Sequence, residues 1–334
     1  MPRKASSRGS VLASGRIKAE HEAALGRHAT RPGDIPWRGW RQVIRRTYLE
    51  IISDRISLVA AGCAFYATLA LFPAINMMIS LYGLIFDPAS VEPQLEVVRE
   101  LMPPAAFAII AERVHTLVSH GKATLGASLL VSTAIALWSS ATGTKSMLSA
   151  LNMAYEEIER RSFLQFQAIG LIMTLCGIMG AILALALLVF LPIAIEYVGL
   201  STHAKALLRF VSLGLLILLV NMSLSLLYHF GPSRRAAKWR WVTPGSFVAT
   251  LLWLAASVAF SLYVERIASY DATYGSVGAV VAVMMWFWVS AYAFLLGAEL
   301  NAELELQTAE DTTTGAPKPI GQRGAFVADH VAEN

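Results

Sequence analysis

The chain has 334 residues, of which 56% are hydrophobic and only 15% charged. A soluble domain carries roughly 25% charged residues, so the composition argues against a soluble globular enzyme and for a membrane protein. The net charge of +4 comes from basic residues at the flanks of apolar runs, which fits orientation and anionic lipid rather than a nucleic-acid groove.

Residues 1–33 are rich in Arg, Lys, Ser, Ala and Gly and hold no apolar core of signal-peptide type. They read as a disordered basic arm on the cytoplasmic side. From Asp34 to Asp54 the pattern changes. Trp37, Trp40, Ile44, Tyr48, Ile51 and Ile52 recur at helical spacing, with Arg38, Arg41, Arg45 and Arg46 between them. An amphipathic helix at the membrane interface is expected here, with Trp at headgroup depth and Arg facing lipid phosphates.

Six charge-free windows follow: Ile56–Phe86, Ala123–Thr144, Ser162–Ile195, Phe210–Ser233, Trp241–Val264 and Ala272–Ala298. Each exceeds the ~18 apolar residues that mark a spanning helix. Pro73 lies mid-run in the first and invites a kink. With the N-terminus inside, the inner segments hold 21 Lys and Arg and the outer segments 6. That split places both termini in the cytoplasm, and six spans agree with it.

The loop 87–122 is the one long outer segment. Val91, Leu95, Val98 and Met102 alternate with Glu92, Glu96 and Glu100 up to Pro103-Pro104. Phe107, Ile110, Val114, Leu117 and Val118 form a second stripe, so two short helices that lie on the outer leaflet or cap the bundle are expected. Residues 307–334 lack periodicity and read as a disordered cytoplasmic tail. The fold class expected is all-α: a polytopic membrane bundle of six transmembrane helices within residues 34–306, with amphipathic interfacial helices.

No Walker A, His-Glu-x-x-His or Gly-x-Ser-x-Gly motif occurs. His115 and His120, five apart with Glu112 nearby, make a poor metal set. Cys63 and Cys176 lie in apolar runs and read as small buried hydrophobes. No cofactor, metal or catalytic residue is therefore expected.

Polar residues within and at the ends of the spans are the better lead, because they are expensive in lipid. Asn76 follows Pro73 closely enough to bond a carbonyl freed by a kink. Asn221 lies mid-span and reads chiefly as helix–helix glue. Lys145 and Asn152 sit at the inner end of the second span, where snorkelling accounts for Lys145. Gly275 and Gly278, after Tyr274, suit close helix approach or a gate. Gly297, Glu299 and Asn301 close the last span. Three readings of Glu299 stand open: it meets water at the boundary, it pairs with Lys145 or an Arg of 234–240, or it couples to protons.

Particular strings carry a family likeness. They are Ala64-Phe65-Tyr66, Leu71-Phe72-Pro73, Leu137-Trp138-Ser139, Leu151-Asn152 with Tyr155, Leu227-Tyr228 with Pro232 and Arg234-Arg235, and Pro244-Gly245. The most specific is Tyr274-Gly275 through Trp286 to Leu296-Gly297-Ala298-Glu299-Leu300-Asn301-Ala302. Over residues 37–306 the chain resembles the YihY/BrkB family of bacterial inner-membrane proteins, once labelled ribonuclease BN. The resemblance implies six transmembrane helices in a bacterial cytoplasmic membrane and brings no catalytic residues.

The leading expectation is transport or translocation of a lipid or envelope precursor, with membrane lipids as partners. The alternative is a structural or assembly factor for envelope complexes, working through envelope protein partners or as a homo-oligomer. Ribonuclease activity is set aside, because the chain shows no catalytic metal cluster and no nucleic-acid partner is expected.

Overall fold

A computed structural model describes residues 21–85, 122–187, 202–266 and 276–332. Among these residues the regular structure is helical: α1 Trp37–Ser53, α2 Ile56–Ile85, α3 Lys122–Ala154, α4 Phe163–Leu185, α5 Thr202–Phe230, α6 Trp239–Arg266, α7 Ser276–Leu306 and the short α8 Phe326–Asp329. One isolated β-bridge, Ala237 with Thr313, is the exception. The expected all-α membrane bundle is present. The helices overrun the charge-free windows. Lys145 lies inside α3, and Lys205 and Arg209 lie inside α5. A charge marks where lipid ends, whereas a helix continues until its backbone loses partners.

Four of these helices contain stretches long and apolar enough to cross a membrane: Phe163–Ala184, His203–Phe230, Trp239–Tyr263 and Val280–Leu306. A fifth crossing arises if α1 and the first part of α2, bent by 62° at their junction, count as one broken span. The described residues thus support four or five crossings by length and composition, against the six expected. The bend is made at Asp54 and Arg55. Asp54 N still donates to Glu50 O at 2.8 Å, and Arg55 takes φ 50°, the left-handed geometry that ends one helix and re-aims the next.

The helices close a ring in chain order. α2 packs on α3, α3 on α4, α4 on α5, α5 on α6, α6 on α7, and α7 returns to α2. α1 lies against α7. Its Gly39, Val43 and Thr47 are buried, while Trp37, Ile44, Tyr48 and Ile52 stay exposed, Trp37 at 76%. That exposed apolar stripe is the face the sequence assigns to the membrane interface.

The tightest crossing joins α6 and α7. A Cβ on Gly297 would meet Gly245 O at 2.5 Å and both Ala249 Cβ and the Tyr228 hydroxyl at 2.7 Å. These two glycines therefore permit backbone contact that any side chain would block. Asn301 secures the same crossing. Its Oδ1 accepts from Gly245 N at 2.7 Å and its Nδ2 donates to Val242 O at 2.9 Å. This crossing lies beside Pro244, which has no N–H to donate within α6.

The residues read from sequence as a disordered tail, and the last part of the basic arm, have regular contacts in the structure. Residues 307–332 fold over the end of the bundle, together with residues 21–36. Arg27 donates to the carbonyls of Leu306 and Gln307, each at 3.4 Å, and to Ala332 O. Ala309 N donates to Arg27 O at 2.7 Å, and Thr308 Oγ1 to Ala29 O at 2.8 Å. Buried Arg323 gathers the carbonyls of Ala309, Glu310, Lys318 and Ala328. Gln307, Thr312 and Thr313 are fully buried. This cap is held by hydrogen bonds to main chain rather than by an apolar stripe, so no period in its sequence announces it. Residues 87–121 of the expected outer loop, Tyr274, Gly275 and the arm before residue 21 lie outside the described residues.

Candidate functional site

Two features stand out: a polar centre at the capped end of α7, and an apolar cavity in the ring above it.

The polar centre begins with the alternation Glu299, Asn301, Glu303, Glu305, Gln307, all buried. Arg234 grips Glu305 with two nitrogens, at 2.7 and 3.2 Å, and both side chains are within 1% of full burial. Thr312 Oγ1 donates to the same carboxylate at 2.6 Å. The guanidinium also stacks over the Tyr155 ring at 4.1 Å. Burial opposes the Arg234 charge, but Glu305 overcomes it and holds the group above its ordinary pKa. Burial pushes the Tyr155 phenol up. Closer to α1, Arg46 donates to Glu303 Oε2 at 2.5 Å and to Gln307 Oε1 at 2.8 Å.

Asn152 ties α3 into this end. Its Oδ1 accepts from Ser233 N at 2.7 Å, and its Nδ2 donates to Glu159 Oε2 at 2.9 Å. Glu157 accepts from Phe326 N at 2.6 Å, fastening the tail, although burial raises its pKa.

Glu299 departs from two of its expected roles. It is only 2% exposed, so it does not meet bulk water. Lys145 instead donates to Gln167 Oε1 at 2.6 Å, bridging α3 to α4, and Arg234 is engaged with Glu305. No donor reaches Glu299 Oε1 among the described residues, and Asp54 of the α1–α2 hinge stands against this side chain.

The remaining predicted residues scatter. Tyr66 is 40% exposed on α2, edge-on to Phe65. Asn221 is half-buried and donates to Ser246 Oγ at 3.4 Å, beside the 2.8 Å contact of Ser225 with Ser246, so it joins α5 to α6. Gly278 is buried in α7. Pro73 and Asn76 lie within the helical run of α2, beyond its described side chains.

The cavity has a volume of about 420 Å³. Met147 of α3, Met173 and Cys176 of α4, Leu227 of α5, Trp253 of α6 and Phe294 of α7 line it. Cys176, Gly177, Ala181 and Ser223 on its rim are exposed, so it opens through the α4–α5 seam onto the flank of the bundle. Cys63 is buried as expected, but Cys176 is not. Nothing lies within 4 Å of a Cβ built on Gly177. The size and lining match a ligand pocket selective for apolar groups. Neither the cavity nor the Arg234–Glu305 centre was named from sequence. The one available signal is Arg234, two residues after Pro232 in a short polar loop.

Among the described residues, no three His, Cys, Asp or Glu are arranged to hold a metal ion. The family described as Virulence factor BrkB matches residues 47–320. A ribonuclease-like protein, YfkH, from Bacillus subtilis is 30% identical over 249 residues, covering 73% of this chain and 88% of the relative. Membrane proteins designated UPF0761 match from Kangiella koreensis (22% identity, 78% of this chain, 63% of the relative) and Pseudoalteromonas translucida (22%, 82% and 88%). No solved structure matches.

Proposed function

The chain belongs to the Virulence factor BrkB family of membrane proteins, and from that premise we propose that it translocates a lipid or lipid-linked envelope precursor. The observation that carries this reading is the apolar cavity open sideways at the α4–α5 seam. An acyl chain entering from the bilayer meets Met, Leu, Trp and Phe, and its headgroup stays near the exposed Ser223 hydroxyl at the rim. A water-soluble solute would need an end-on entrance with more polar lining.

The bacterial cytoplasmic membrane, with both termini in the cytoplasm, is the placement proposed. The excess of Lys and Arg on that side supports it. So does the contact of residues 21–36 with 307–332, which keeps the two terminal segments at one end of the bundle. The folded cap favours one further reading, a scaffold for envelope complexes, because it offers a structured surface to a protein partner.

Reconstitution separates the two. Full-length protein in proteoliposomes should move fluorescent phospholipid between leaflets faster than empty liposomes do. Gly177→Trp fills the cavity mouth and should cut that rate several-fold, while leaving stability within ~0.5 kcal/mol because the site is open. Equal rates with and without protein, across several lipid classes, would sink the transport reading in favour of the scaffold.

A further inference from the structure

Glu299 is a buried acid that stands against another acid, Asp54. Oε1 meets no N–H or O–H donor among the described residues. Two ionised carboxylates repel, and a hydrogen bond between two carboxyl groups requires one proton shared between them. The surroundings reinforce this. Besides Asp54, the carboxyls facing Glu299 are Glu303 on α7, Glu50 on α1 and Glu156 in the α3–α4 loop. Arg46, which reaches α7 from α1, is committed to Glu303 and Gln307. Arg234 is committed to Glu305, and the Tyr155 hydroxyl makes no hydrogen bond to Glu299 or to any other group among the described residues. Arg55, next to Asp54, is exposed.

The location matters as much as the chemistry. Asp54 is the hinge residue of the 62° bend between α1 and α2. Glu299 stands on α7, one turn from Glu303, which Arg46 of α1 already holds. Interfacial helix α1 thus has two attachments to α7. The Arg46–Glu303 pair needs no shared proton. A hydrogen bond between Asp54 and Glu299 does need one.

We infer that Asp54 and Glu299 form a proton-binding site that ties the α1–α2 hinge to α7 when one proton is bound and frees the hinge when it leaves. The departing proton passes to solvent past half-buried Asp54 and Glu50. What remains is a pair of facing carboxylates within a ring of further acids, which pushes the hinge off α7. α1 then pivots on Arg46, and its exposed Trp37, Tyr48 and Ile52 shift against the bilayer surface. The site is independent of the cargo proposed above, and its test uses no transport assay.

Infrared titration of the full chain in nanodiscs reads the proton directly, and amide exchange over residues 50–57, corrected for intrinsic rate, reads the hinge. Wild type should show a protonated carboxyl band at neutral pH that disappears as pH rises. Hinge protection should fall by at least about tenfold across the same step, the equivalent of one pKa unit. Glu299→Gln should lack the band and keep hinge protection at every pH, because its amide N–H donates to the Asp54 carboxylate without a shared proton. Asp54→Asn removes the facing charge and should move the step to lower pH. An unchanged band or an unchanged hinge profile in Glu299→Gln overturns the inference. Should that variant not fold, an unmoved step in Asp54→Asn overturns it equally.

Discussion

The capped end of the bundle and the α4 flank are built on opposite terms. At the capped end, Glu305, Gln307, Arg323 and Thr312 are buried and hydrogen-bonded, and the tail is laced to α7 and to residues 21–36. Along α4, Leu171, Ile172, Leu175, Met179, Ile182 and Leu183 are exposed, and a cavity separates the helix from α6 and α7. In water those leucines would drive collapse. In lipid they have no such incentive, so rigidity comes from close backbone contact and polar locks. The difference teaches that polar locks hold the capped end, whereas apolar side chains along α4 leave a cavity unfilled beside them.

The largest effect should come from breaking the lock. Arg234→Ala leaves Glu305 buried and unpaired, at a cost of about 3–5 kcal/mol. Thermal unfolding of the solubilised full chain should show it as a collapse in Tm or in folded yield. Leu175→Ala on the exposed face of α4 should shift Tm far less. Equal losses at the two positions would erase the contrast between the regions.

Next in size is the α6–α7 crossing. Gly297→Ala inserts a methyl between Gly245 O, Ala249 and the Tyr228 hydroxyl, and should cost about 1–3 kcal/mol through overpacking. The same assay measures it. A neutral result would mean that the crossing gives way as easily as the α4 seam.

The smallest effect is acid loosening of the cap. Burial alone would raise Asp311, but donation from the backbone N–H groups of Lys318 and Thr313 holds it below the ordinary aspartate value. Asp329 is lowered likewise, by Arg323, Gly324 and Gly321 N–H groups. A lowered folded pKa contributes stability above the unfolded value that disappears as pH falls through the folded one. The cap should therefore open below about pH 4, the ordinary aspartate value. Pepsin cleavage should then appear within residues 309–332 while α7 stays intact. Cleavage that starts in the bundle instead would reverse the order of stability argued above.

Membership in an all-α membrane family was legible because it depends on local regularities. Runs without charge must become helices in lipid, since every N–H and C=O needs a partner and only neighbours along the chain are certain to supply one. Asn152, Gly297 and Asn301 stood out as polar or small residues at helix ends, and all three prove to hold elements together. Gly278 was singled out with them, yet the described close crossing belongs to Gly245 and Gly297. Spacing shows that a glycine is present but not which helix faces it.

The sequence by itself determined the helices, the apolar stripe of α1 and the polar C-terminal end of α7, all of which follow from the order of neighbouring residues. Only the tertiary structure decided that residues 307–332 fold into a cap, that Arg234 takes Glu305, that a cavity opens beside α4, and that Glu299 faces Asp54. Each of these depends on groups far apart in the chain meeting in space, through hydrogen bonds and packing that leave no period to read.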